Sequence, residues 1–347
     1  MRKTLFVVLA LLLTTQIYGR FRYSYPIYPI LGYAGSTGFL YGAVAFLPKT
    51  ENNNIYNFLF MGNALGQIDA QAQYIKEDIF PYTNLILHGQ YKTFFVDYYT
   101  TNSPDSEQKI HNSLMVGDVE LVKQLDHDLF VSVFAEYGDF KYGSVNSQAY
   151  LYMADDTKLL YGAKLGKDTR DNIDSTKRGY LIEASVFRTN YKDKTISSND
   201  KMLVSNTLDA KHFYTFDAFD SLLTMANRFY VANNSIATER HLYQQAFDGD
   251  GGLRGFSEYR FRGDTSAMVQ SELRAKIIKI ANIVPISGVG FAEWGWVEDV
   301  QFGIREAFSY GGGLRVGLPP KYNTQLRFDL GVSEEGVGFY AVFGERF

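Results

Sequence analysis

The chain has 347 residues and a formal charge of −4, so no net basic charge argues for a nucleic acid or an anionic lipid surface as partner. It contains no cysteine, which excludes disulfides, thiolate metal sites and cysteine nucleophiles together. Its 26 Tyr, 27 Phe and 31 Gly are an unusual load for a soluble α/β enzyme; a transmembrane β-barrel uses such aromatics as girdles at both membrane interfaces.

The N-terminus reads as a targeting segment. Arg2 and Lys3 precede an apolar stretch over 5–13, which ends at the polar Thr14-Thr15-Gln16. That stretch is too short for a transmembrane helix, which needs about 20 residues, and it fits the apolar region of a secretory signal. The signal is placed at 1–19 with cleavage near Gly19, although Ile17-Tyr18-Gly19 departs from a small-x-small site. A buried N-terminal helix is the alternative, and nothing helical follows for it to pack against. No later window approaches 18 consecutive apolar residues, and mean hydropathy is mildly negative, as expected where every second strand residue faces a polar lumen.

From there the dominant period is two. Gln67, Asp69, Gln71 and Gln73 alternate with Ile68, Ala70, Ala72 and Tyr74. Further apolar stripes run through Leu129, Val131, Val133, Ala135 and Tyr137, and through Tyr180, Ile182, Ala184 and Val186. Near the end, Gln325, Arg327, Asp329 and Gly331 interleave with Leu326, Phe328, Leu330 and Val332. Strict alternation means strands with one apolar and one polar face. Turn chemistry at Gly35-Ser36-Thr37-Gly38, 49–54, 102–105 and Pro319-Pro320 separates them. The first half then holds strands at 27–34, 39–47, 55–64, 67–76, 83–99, 109–125, 128–142 and 157–168. The second half adds 178–189, 202–215, 220–233, 264–279, 285–297, 308–318, 323–333 and 336–347. The fold class expected is all-β: a closed antiparallel transmembrane barrel of sixteen strands over 20–347, one domain, with both termini on the periplasmic side.

The longest interval between strands, 234–263, then falls outside the cell, and a connection of that length is usually functional. It contains Leu253-Arg254-Gly255-Phe256, preceded by Gly249, Gly251 and Gly252. On the next strand Gln270, Glu272, Arg274 and Lys276 share the polar face, opposite Leu273, Ala275 and Ile277. On its neighbour Phe291, Glu293 and Gly295 face one way, and Trp294 and Trp296 the other. Two carboxylates on adjacent strands therefore point into the lumen, where a guanidinium on a glycine-flexible loop is able to meet them in a bidentate, partly desolvated pair. The chain closes on an aromatic strand carrying Gly338, Phe339, Tyr340, Phe343 and Phe347.

This constellation resembles the signature of the BamA/TamA superfamily, also called bacterial surface antigens. That family has a Val-Arg-Gly-Phe/Tyr tip on its sixth extracellular loop, which inserts into the barrel and docks on a Phe-x-Asp-x-Gly wall and a nearby Glu. The resemblance assigns the tip to Leu253, Arg254, Gly255 and Phe256, the wall to Phe291, Glu293 and Gly295, and the extra carboxylate to Glu272, with Leu replacing Val and Glu replacing Asp. Gly166-Lys167-Asp168-Thr169-Arg170-Asp171-Asn172 with Gly179 resembles the family's turn between strands eight and nine, and Pro29-Ile30-Leu31-Gly32-Tyr33 with Gly38 and Gly42 its first hairpin. Gly338, Phe339, Tyr340, Phe343 and Phe347 resemble the signal by which such barrels are recognised for assembly. The match is specific from about 159 onward. The periplasmic POTRA domains usual in the family have no counterpart in the sequence, which implies a partner protein or a reduced role.

Bland readings stand beside these. Glu272 and Glu293 are also readable as porin-like lumenal charges. Paired carboxylates suggest acid–base chemistry, but no nucleophile or metal set accompanies them. His88, His111, His127, His212 and His241 lack ligand spacing. Arg262-Gly263-Asp264 matches an integrin-binding tripeptide, but sits where a strand begins. The expectation is thus a non-enzymatic outer-membrane barrel without cofactor, metal or catalytic residue, assisting insertion or translocation of proteins or lipids. Its expected partners are outer-membrane lipids, the barrel-assembly machinery during biogenesis and a periplasmic protein, with no nucleic acid; the alternative is a passive pore or a structural or adhesive barrel.

Overall fold

Period-two alternation becomes sixteen long antiparallel strands. A computed structural model describes residues 27–34, 38–47, 52–98, 108–143, 155–173, 175–193, 201–218, 221–235, 245–246, 252–256, 260–280, 284–299, 303–317, 325–343 and 345–347; the targeting segment lies outside them. The first half comprises β1 (Ile27–Ala34), β2 (Gly38–Leu47), β3 (Asn54–Asn63), β4 (Ile68–Phe80), β5 (Thr83–Tyr98), β6 (Gln108–Gln124), β7 (Leu129–Tyr142) and β8 (Asp156–Asp168). The second half comprises β9 (Gly179–Asp193), β10 (Lys201–Ala218), β11 (Ser221–Asn234), β12 (Gln245–Ala246), β13 (Arg262–Gly263), β14 (Thr265–Ile280), β15 (Val284–Asp299), β16 (Gly303–Gly317), β17 (Gln325–Ser333) and β18 (Gly336–Phe343).

All but β12 and β13 form one sheet in chain order, each strand paired with the next, and β11 pairs directly with β14. The edge strands β1 and β18 have Cα atoms within 8 Å of each other, but share no hydrogen-bonded register among the described residues. The sheet comes round on itself and stays unzipped there.

The faces follow the alternation. Cross-strand partners share a face, so the pairs Gln270↔Glu293 and Glu272↔Phe291 put those residues on one wall, together with Ser309 opposite Glu293. That wall is interior: Gln270, Glu272, Glu293 and Ser309 are buried. The intervening residues Val269, Leu273, Trp294, Phe308 and Tyr310 are exposed, which leaves an apolar outer surface suited to lipid.

Four departures from the sequence reading have local causes. Strand β4 runs to Phe80 rather than 76, because its ladder with β5 is interrupted between Lys76 and Phe80, where Asp78 takes a positive φ, and then resumes. Strand β16 begins at Gly303 rather than 308; Arg305 and Glu306 hide its start from a hydrophobic pattern. The connection after β11 is not without structure: β12 pairs with β13 and forms a neck behind the loop tip. The last strand stops at Phe343 rather than 347, because Glu345 and Arg346 find polar partners inside the sheet's curve.

Candidate functional site: an inward-folded loop on a buried ion cluster

From this neck, level with Glu298 on β15, the loop tip reaches further in, to Glu293 on the same strand. Asp264 donates its N–H to Glu298 O and accepts from Asn234 N–H, which fixes the loop base to β15 and β11. Arg305 donates to Arg262 O at 2.7 Å, and Arg260 pairs with Glu335 in the β17–β18 turn at 2.7 Å. Arg262-Gly263-Asp264 is therefore buried structural backbone, not a displayed tripeptide.

The tip itself is built to be docked. Gly255 takes φ +95°, a region other side chains rarely adopt, and this turns the chain so that Arg254 and Phe256 diverge. Leu253 and Phe256 pack with Phe261, Met268, Val297 and Ala307, and the Phe256 and Phe261 rings meet edge-on at 5.0 Å. The tip backbone is satisfied by the wall. Gln270 donates to Gly252 O at 2.9 Å, Arg254 N–H donates to Glu293 Oε2 at 2.7 Å, and Gly255 N–H donates to the Tyr340 hydroxyl at 2.8 Å. Ser333 Oγ donates to Gly255 O at 2.7 Å. An unpaired buried backbone group would cost as much as a lost hydrogen bond, so this seat is specific for the tip. Gly331 permits the approach: a Cβ there would lie 2.7 Å from Arg254 Cβ.

Arg254 is fully buried and meets three carboxylates. Its Nε and Nη2 donate to Glu293 Oε1 at 2.9 and 2.7 Å, and Nη1 lies 2.9 Å from Glu272 Oε1 and 2.7 Å from Asp329 Oδ2. Its guanidinium carbon stands 3.3 Å above the Phe291 ring centre. Burial by itself would ease the proton off Arg254, and the Glu293, Glu272 and Asp329 carboxylates more than reverse that, so its pKa is held above the usual value. From the sequence, Glu272 and Glu293 are the expected partners of Arg254, and Asp329 joins them in the fold. Asp329 was visible on the polar face of its strand, but nothing in linear order says that β17 curves round to the same point.

The remaining carboxylate valence is taken by arginines the sequence reading gave no role. Arg274 donates to Glu272 Oε2 at 2.9 and 2.8 Å, and Arg315 to Asp329 Oδ1 at 2.5 Å, while Arg327 lies 3.4 Å from Asp329. Gly295, buried, pairs with Met268 on the same wall. Among the terminal aromatics, Phe339 is exposed on the outer face, Tyr340 holds the tip, and Gly338 pairs with Gly331 across β17–β18. Phe343 ends β18, and Phe347 is buried against Phe213, ring centres 6.4 Å apart.

The fold and this site define an outer-membrane-type barrel with a long loop folded into its lumen. Solved structures share that fold. They include BamA from Haemophilus ducreyi lacking POTRA domains 1–3, with TM-score 0.60 and 13% identity over 90% of this chain and 69% of that one. CdiB from Acinetobacter baumannii gives 0.58 and 13% identity over 90% and 57%, and CdiB from Escherichia coli 0.62 and 9% over 92% and 62%. The chain thus spans less than two thirds of both CdiB structures. At these identities the likeness is one of fold. No family sequence profile matches the chain, and no curated protein sequence does.

Proposed function

We propose that the protein is an integral outer-membrane barrel that assists insertion or passage of proteins or lipids, opening sideways between β1 and β18. The observation that carries this reading is the unzipped edge: among the described residues β1 and β18 are adjacent in space without a hydrogen-bonded ladder, while every other neighbouring pair of the sheet has one. Free edges invite pairing with another strand, and proteins normally cover them. In this reading the docked tip braces β14–β18 so that the edge can part while the rest of the wall holds. Outer-membrane lipids are its surroundings, the barrel-assembly machinery handles its biogenesis through the terminal aromatic strand, and a periplasmic protein works with it. The chemistry is mechanical and not enzymatic.

A test is a disulfide staple between one cysteine placed in β1 and one in β18, feasible because the native chain has none. Paired antiparallel residues lie about 5.5 Å apart at Cα, within disulfide reach. The stapled barrel is expected to keep heat-modifiable migration and to lose the assembly or growth phenotype that a deletion strain defines. Full complementation by the oxidised form would end the lateral-opening reading. It would favour a passive pore, for which the interior of β5–β11 supplies the specific observation: part-exposed ion pairs such as Lys164–Glu120 and Arg228–Asp209.

A further inference from the structure

The outer face of β9–β14 carries a polar row where lipid is expected to meet apolar side chains. Tyr180 pairs across the sheet with His212, His212 with Asn227, and Asn227 with Ser271, so the four share one face. The next row, Ile182, Ala210, Phe229 and Val269, is paired in the same way, and its large members are exposed on the surface suited to lipid. Ala210, Asn227 and Ser271 are short beside Ile182, Phe229 and Val269, and there the wall sinks into a notch of about 400 Å³.

The notch offers hydrogen bonds that the protein leaves open. Ser271 Oγ donates to Asn227 Oδ1 at 2.8 Å, and the N–H groups of that amide have no partner among the described residues. Neither the His212 ring nor the Tyr180 hydroxyl has one there either. Polar groups that face hydrocarbon are costly unless a partner meets them. Apolar walls around a few convergent polar groups are the composition of a ligand pocket.

Cations mark the mouth of the notch. Tyr180 opens β9 just after the β8–β9 turn, at the end of the sheet opposite the long loop. Lys167 pairs with Ile182 across β8–β9 and sets its ammonium 5.9 Å from the Tyr180 ring centre, and Arg178 is exposed two residues before Tyr180. Asp171, the acidic residue beside them, accepts from the backbone N–H groups of Lys177 and Arg178 at 2.9 and 3.3 Å. Among the described residues no carboxylate pairs with the side chain of Lys167 or Arg178, whereas the lumenal Lys158, Lys164, Lys211 and Arg228 each have one. We propose that the notch binds an anionic phospholipid of the leaflet on that side. Its phosphate lies between Lys167 and Arg178, its ester oxygens accept from His212 and Asn227, and the first part of an acyl chain lies over Ala210. The headgroup supplies the missing counter-charge, and the esters supply acceptors at the depth of the open donors. The site is mid-sheet, away from the β1–β18 edge, so it stands or falls independently of lateral opening.

Trp294 is a built-in reporter, because it pairs with Val269 on the notch wall and the chain's one other tryptophan is Trp296. The experiment places Trp296→Phe protein in phosphatidylcholine bilayers with rising fractions of phosphatidylglycerol brominated on its chains, and reads the quenching of Trp294. A second series moves the bromine to the phosphatidylcholine. Phosphatidylglycerol is expected to show about a fivefold higher relative affinity, the ratio that the ~1 kcal/mol of one interfacial cation corresponds to. Lys167→Gln, which removes the cation, and Ala210→Leu, which fills the notch, are each expected to abolish the preference. Lys123→Gln, an exposed cation at the same rim on β6, is expected to leave it intact. Quenching in proportion to label fraction in both series means annular lipid only, and overturns the site. Quenching by neither label puts a protein on this face and overturns it too. A preference that survives Lys167→Gln and Ala210→Leu, or that Lys123→Gln removes equally, does the same. Folding of each variant is judged by heat-modifiability, and should one of the two notch variants fail to fold, the other decides by the same criterion.

Discussion

Two parts of one interior wall, written in the same alternating code, are put to opposite uses. Along β5–β11 the lumenal charges pair with neighbours across the sheet and stay wet: Lys158–Glu136 at 2.6 Å is 17% and 25% exposed, and Lys164–Glu120 at 3.1 Å is 25% and 20% exposed. Along β14–β18 the charges wait for a visitor from the long loop, and Arg254, Glu272, Glu293 and Asp329 are fully sealed. Ion pairs occur on both walls, so their presence does not distinguish the two. What does is a tip that brings its own apolar lid, Leu253 and Phe256, and excludes water from the ions beneath. An ion pair in water contributes little, whereas one sealed from water punishes the loss of either partner.

The contrast is broken hardest at Glu293, which takes three hydrogen bonds from Arg254 as well as those of Gln270 and Ser309. Glu293→Lys sets a cation against Arg254 and is expected to expel the tip, with loss of resistance to loop proteolysis and the largest fall in thermal unfolding midpoint. Arg254→Ala removes the visitor's charge but leaves Arg274 and Arg315 to hold Glu272 and Asp329, so Glu293 is the carboxylate left with neutral donors, Gln270, Ser309 and the backbone N–H of residue 254. Breaking one side of such a buried pair costs on the order of 3–5 kcal/mol. Equal melting of wild type, Arg254→Ala and Glu293→Lys would mean that the sealed wall is no more sensitive than the wet one.

A steric change tests the same seat without altering charge. A Cβ at Gly331 would lie 2.8 Å from Gly255 N, backbone that has no room to yield. Gly331→Val is expected to lift the tip and cost about 1–3 kcal/mol, the usual range for overpacking, with the loop gaining protease sensitivity while the sheet remains heat-modifiable. Phe291→Leu keeps the volume roughly and removes the ring beneath Arg254. Its expected cost is about 2 kcal/mol, typical of a desolvated cation–π contact, read as a lower unfolding midpoint with the tip still protected.

Much of this was legible in the sequence, and the illegible remainder has a physical pattern. Alternation gave the sixteen strands and their faces, because a lipid-facing residue and a lumenal one must differ in polarity. Arg254, Glu272, Phe291 and Glu293 were legible as a group because the loop and the two strands that follow it lie close in sequence. Asp329, Arg315 and Tyr340 complete the seat from strands that only closing the curve brings near, and periodicity carries no information about curvature. The tail was misread for another reason. Phe339, Tyr340 and Phe343 look like a strand that continues to Phe347, and only the partners met inside the curve, Arg315 for Glu345 and Gly252 O for Arg346, take the end off the wall.

The smallest effect belongs to the wet wall, and its smallness is the point. Lys164 reaches Glu120 at 3.1 Å across β6–β8, with its ammonium also 5.1 Å from the Phe134 ring centre, and both charges of the pair are reached by water. Ser132 Oγ donates to Glu120 Oε1 at 2.6 Å, so Glu120 keeps a partner when the lysine is cut away. Lys164→Ala is therefore expected to cost no more than about 1 kcal/mol, the range of solvent-exposed ion pairs, with any effect shrinking as salt is raised. Ion flow is another matter, since removing a lumenal cation shifts the balance of charge along an aqueous path. In planar bilayers Lys164→Ala is expected to move selectivity toward cations while the unfolding midpoint barely changes. A loss of stability rivalling that of Arg254→Ala would show that water does not reach this wall, and the distinction between the two halves of the interior would fall.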